Sequence, residues 1–170
     1  MNQIYRSSII ERLFRYMPMG LLFVSVLNEF DFNNLGLKYF SFNFSYILIF
    51  YYSLKKAESF SYGLIFIAGL VNDVVVGTPL GISSLVYLLL CGAAAYLRNI
   101  TLRPNLMKDW IFFLITILTI NSILFFILYY IFNHEIIFFD QMINVIFTFL
   151  LYLVFTYLLS LFRKILMEKY

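Results

Sequence analysis

Polar residues along this chain fall in short breaks between six long apolar blocks, near residues 14–30, 39–54, 60–76, 80–97, 110–132 and 139–162. Each block is close to the ~20 residues that an α-helix needs to cross a bilayer. The third and fourth are parted only by Gly77-Thr78-Pro79. One helix through both would run about 57 Å at 1.5 Å per residue, nearly twice a ~30 Å hydrocarbon core, so proline with glycines on either side makes a turn there. The pattern predicts an all-α, polytopic integral membrane protein: six transmembrane helices in a single domain over residues 1–170.

Six crossings put both termini on one side, and the basic residues test this, because short cytoplasmic flanks retain Lys and Arg. Of the 12 basic residues, Arg6, Arg12, Arg15, Lys55, Lys56, Arg98, Arg103, Lys108, Arg163, Lys164 and Lys169 fall on the terminal side and Lys38 alone on the other. Missing one helix, or ignoring the Gly77–Pro79 turn, would destroy that asymmetry. The expectation is therefore a multi-pass protein of the bacterial inner membrane with cytoplasmic termini. The outward loops carry Glu29, Asp31, His134, Glu135 and Asp140. The first helix follows three arginines but has no small-x-small cleavage site after Leu27, so it reads as a retained anchor. Met17-Pro18 near its start is where a kink is tolerated.

Composition excludes the aqueous alternatives. The chain is 63% hydrophobic and 12% charged, with mean hydropathy +0.90, 21 Phe and 14 Tyr, and such a surface belongs in lipid. A net charge of +3 comes with no basic run beyond Lys55-Lys56 and no aromatic–basic stripe, so nucleic acid is not a partner. Tyr51, Tyr52, Tyr96, Trp110, Tyr129 and Tyr130 fall at block ends, where amphipathic rings settle among headgroups. Cys91 reads as a small packing residue.

Few polar residues lie at membrane depth. Asp73 falls past the midplane if its helix starts near Phe60, about 20 Å along the axis, and a carboxylate there must face protein or water. It is expected to brace the Gly77–Gly81 turn by accepting amide hydrogen bonds; docking a partner or relaying a proton are the alternatives. Gly81, Ser84, Cys91, Gly92 and Ala95 place small residues roughly along one side of helix four, where a neighbouring helix can come close. Asn144, Thr148, Tyr152, Thr156 and Ser160 recur every fourth residue on helix six, the pattern of an inter-helix seam. Catalytic sets are missing. His134 has no second histidine or cysteine to complete a metal site, no glycine loop cradles phosphate, and no pair of intramembrane carboxylates offers acid–base chemistry. No catalytic, cofactor or metal-binding residue is assigned.

The stretch from Gly69 to Gly81, Gly-Leu-Val-Asn-Asp-Val-Val-Val-Gly-Thr-Pro-Leu-Gly, resembles the signature region of the bacterial rod shape-determining protein MreD family: a Gly-Leu pair, an acidic residue shortly after, then small-x-Pro-Leu-Gly opening the next helix. Length, six apolar blocks, a basic loop after helix four, and Thr148 with Tyr152 in the last helix look like the family too. Asn72, at a position usually apolar, and a short first outward loop depart from it. The resemblance implies a non-enzymatic subunit of the cell-elongation machinery that builds the lateral peptidoglycan wall. It would associate with an MreC-like membrane protein and, through it, with the MreB filament, RodA and a penicillin-binding transpeptidase. It also implies a helical arrangement similar to the substrate-binding subunits of energy-coupling-factor transporters. A solute-binding subunit of a vitamin transporter is thus the alternative function. Gly69, Asp73, Gly77, Pro79 and Gly81 are then the structural turn and candidate docking residues, and Ser84, Gly92, Ala95, Asn144 and Thr148 the candidate packing or partner face.

Overall fold

The computed structural model describes residues 17–27, 41–55, 61–101, 105–133 and 138–168. They form six helices and, among the described residues, no β-strand: α1 (Met17–Leu27), α2 (Phe44–Lys55), α3 (Tyr62–Val76), α4 (Ile82–Ile100), α5 (Leu106–Phe126, continued by a π-helical turn at Ile127–Ile131) and α6 (Phe138–Glu168). Three are long and apolar enough to cross a membrane: α4, α5 with its π turn, and α6. α1 and α3 are shorter apolar helices, and α2 has 12 residues, about 18 Å of axial length.

Helix boundaries differ from the sequence expectation by up to six residues: α4 ends at Ile100 rather than near Leu97, and α5 starts at Leu106 rather than near Trp110, where the Asn105 side chain accepts from the Met107 amide. The second helix starts at Phe44, not near Tyr39, because Ser41–Asn43 is not helical and its polar groups are held by another helix. The Asn43 amide donates to Thr148 Oγ1 at 2.9 Å and its Nδ2 to Asn144 Oδ1 at 2.8 Å. The sixth helix runs past Phe162 to Glu168, since nothing in Arg163–Glu168 stops a helix. His134, Glu135 and most of the flanking arginines lie outside the described residues.

α2 sits at the centre, with nine of its twelve residues buried. Its sequence FSYILIFYYSLK is apolar on every side, and such a helix is stable only with neighbours all round. Tyr51 is therefore not a headgroup anchor. It is 3% exposed, and Tyr52 is half-buried. The core joins Leu22 and Val26 of α1, Ile47 and Phe50 of α2, Ile65 and Ala68 of α3, Tyr87 and Leu90 of α4, Phe113 and Ile117 of α5, and Tyr152 of α6. α5 and α6 pack antiparallel in a register set by Phe125–Phe138, Phe113–Tyr152 and the Trp110 Nε1 bond to the Phe149 carbonyl. The helices alternate so that one end of the bundle gathers Asp73, Asn43 and Asn144, and the other Lys55, Arg98 and Asp109.

Candidate functional site

The α3–α4 hairpin is built around one carboxylate. α3 ends because Gly77 adopts a left-handed backbone, φ 78°, which lets the Gly77 and Thr78 amides return to the Asp73 carbonyl at 2.9 and 3.1 Å, a helix-closing pattern that suits glycine. The Asp73 side chain, 1% exposed, then crosses the turn. Oδ1 accepts from the Thr78 hydroxyl at 2.8 Å and the Ser83 amide at 2.9 Å, and Oδ2 from the Gly81 amide at 2.7 Å.

Gly81 and Ser83 supply first-turn amides of α4, donors that a helix cannot satisfy itself. Gly81, φ 99°, has no side chain with which to cap them, so Asp73 caps α4 from the preceding helix. The positive end of the α4 dipole favours the charge while the C-terminal end of α3 opposes it. Three short charge-assisted hydrogen bonds decide the balance.

The rest of the motif closes the hairpin. Asn72 Nδ2 donates to Ser83 Oγ at 2.9 Å, and Ser84 Oγ to the Phe66 carbonyl at 2.8 Å. Gly69 faces Ser84 so closely that an added Cβ would lie 2.5 Å from the Ser84 nitrogen. A Cβ on Gly77 or Gly81, in contrast, would meet nothing within 4 Å. The turn needs those two glycines for their backbone angle, and crowding plays no part.

The candidate partner face divides. Ser84 and Cys91 are buried, and Cys91 Sγ accepts from Ser53 Oγ at 3.3 Å. Gly92 is exposed, with open space beside it, and Ala95 is half-buried. Adjacent residues of a helix point about 100° apart, so Cys91 and Gly92 cannot share one face. Gly92 lies instead with Leu85, Leu89 and Tyr96, all exposed.

On α6, Asn144 is half-buried, and Thr148, Tyr152 and Thr156 are buried. Besides holding Asn43, Asn144 donates to Ser41 Oγ at 3.1 Å. The Asn43 and Ser41 contributions were not read from the sequence, though a polar pair flanking Phe42 inside an apolar block marks a break.

A second buried carboxylate also escaped sequence reasoning. Asp109, 2% exposed, accepts from Lys55 Nζ at 2.8 Å, with the lysine side chain 22% exposed. Arg98 Nη1 donates beside it to the Ser53 carbonyl at 3.0 Å. Among the described residues no three His, Cys, Asp or Glu side chains come together as metal ligands. The three hydrogen bonds to Asp73 come from its own hairpin, and this arrangement builds structure around the carboxylate.

A family model, rod shape-determining protein MreD, matches residues 11–163. No curated protein and no solved structure matches the chain.

Proposed function

Because the chain belongs to the rod shape-determining protein MreD family, with a role in rod shape determination, we propose that it is a non-enzymatic, multi-pass scaffold of the bacterial inner membrane that docks the transmembrane helix of an MreC-like partner. Through that partner it would reach the MreB filament, RodA and the penicillin-binding transpeptidase. Docking would hold the partner's periplasmic part above the membrane, so the mechanism is positioning.

The observation that carries this reading, beside the family match, is how the polar residues at membrane depth are used. Asp73, Asn72, Asn144 and Thr148 bond to their own chain, whereas a transporter subunit needs polar groups converging on a ligand. α4 meanwhile leaves Leu85, Leu89, Gly92 and Tyr96 open at helical spacing, and a glycine there lets another helix approach closely. Six membrane-embedded helices with cytoplasmic termini fit Lys55, Arg98 and Lys108 lying towards one end. The short α2 is compatible with such a bundle, since irregular backbone at membrane depth is tolerated where protein covers it.

Depletion should turn rod cells round while wall synthesis continues. A Gly92→Leu variant should accumulate and melt normally yet recover the MreC-like protein at least tenfold less in detergent co-purification. Rod-shaped depleted cells rescued by a single vitamin would establish the transporter reading instead.

A further inference from the structure

The two helical hairpins end at different heights. Phe50 packs on Phe113 with ring centroids 5.0 Å apart, and Ser53, about one turn along α2, bonds Cys91. Phe113 of α5 and the Leu88 turn of α4 are therefore near one level. From that level α5 climbs roughly 24 Å to Tyr129, while α4 and its turn climb only about 12 Å to Leu80. The α3–α4 tip thus stops some 10 Å short of the aromatic end of α5.

The bilayer can be placed on α5 by its own markers. From Asp109, paired with Lys55, to Tyr129 is about 30 Å of helix, one hydrocarbon thickness. Tyr129 and Tyr130 are 51% and 65% exposed and Asn133 beyond them is exposed, the composition of a headgroup boundary. The α3–α4 tip has a different surface. Its outward side chains, Val74 at 72%, Val75, Val76 and Leu80 at 73%, are all apolar. The amides of Gly77, Thr78, Gly81, Ile82 and Ser83 donate within the protein and Pro79 has no N–H to satisfy, which leaves Leu80 as the one amide from Gly77 to Ser83 without an acceptor among the described residues.

We propose that the α3–α4 tip is submerged among the acyl chains of the leaflet at the Asp73 end, below the headgroup layer that Tyr129 and Tyr130 mark. Backbone turns are excluded from hydrocarbon because their amides lack partners there. Asp73 lowers that obstacle by standing in for water on the Gly81 and Ser83 amides, and the valines and Leu80 supply a surface that acyl chains wet. The lipid-facing surface is lower on this side of the molecule than beside α5 and α6.

Nitroxide depth measurement on Leu80→Cys and Tyr130→Cys tests this in the full chain in phosphatidylcholine–phosphatidylglycerol nanodiscs. Both positions are exposed, and the buried Cys91 is controlled by the unsubstituted chain. Collision with oxygen against a water-soluble nickel chelate should place Tyr130 at the headgroups and Leu80 about 10 Å deeper, accessible to oxygen and shielded from nickel. Equal depths, or nickel access at Leu80, would overturn the proposal. So would shielding of Leu80 from both reagents, which would mean that protein, such as a second copy of the chain, covers the tip.

Discussion

Asp73 and Asp109 are both carboxylates withdrawn from solvent at 1% and 2% exposure, yet they are held in opposite ways. Asp73 takes three donors from residues five to ten positions ahead in its own hairpin, two of them backbone amides. Asp109 takes a lysine 54 residues earlier in the chain, on a different helix. The first arrangement is assembled as soon as two adjacent helices fold back. The second exists only after α2 and α5 have packed, so it reports on the whole bundle. Without a partner either charge would be expensive, Asp73 at membrane depth and Asp109 buried in protein at the membrane's edge, and the two sites differ in what failure would take with it: one turn, or the seating of the central helix.

The largest effect is expected at Asp109. Removing one member of a buried ion pair strands the other charge, which typically costs 3–5 kcal/mol, whereas replacing both with apolar groups of similar size is often neutral. Asp109→Leu should therefore lower the unfolding free energy in detergent by about 3 kcal/mol, towards the small end of that range because Lys55 can swing to solvent. The Lys55→Met, Asp109→Leu double variant should recover most of the loss. A double variant as weak as the single would show that Asp109 serves something other than its lysine.

A smaller loss is expected at Asp73. Asp73→Leu leaves the Gly81 and Ser83 amides without their acceptor, at about 1–3 kcal/mol for an orphaned donor, moderated because a two-helix turn can relax locally. We expect about 2 kcal/mol in total, with Asp73→Asn in between because one amide oxygen still accepts. An Asp73→Leu variant that melts like the parent but loses its MreC-like partner would transfer the carboxylate from bracing to docking and end the contrast with Asp109.

The smallest of these losses belongs to the backbone of the turn. Gly77→Ala should cost about 1–2 kcal/mol, the penalty for a left-handed L-residue, and Gly77→Asn less, since asparagine tolerates that conformation. If both substitutions cost the same, contacts of the new side chain would matter more than the left-handed backbone.

Local features were legible in advance. Six apolar blocks, the break at Gly77–Pro79 and the Gly69–Gly81 motif lie within a few turns of chain, so sequence by itself determined an all-helical membrane protein, the position of the α3–α4 turn, and the resemblance that the match over residues 11–163 then established. Hydropathy reports how much a segment avoids water. It does not report whether lipid or another helix covers the segment, so α2 read like the other five apolar blocks and Tyr51 as an anchor, where the fold makes α2 central and buries Tyr51. Small residues one position apart, Cys91 and Gly92, were grouped by type, and only packing showed that one faces the core and the other outward. The Lys55–Asp109 pair and the Asn43–Asn144–Thr148 cluster join residues 54 to 105 positions apart. No periodicity encodes such distances, because they depend on how the helices pack, and that only the tertiary structure decided.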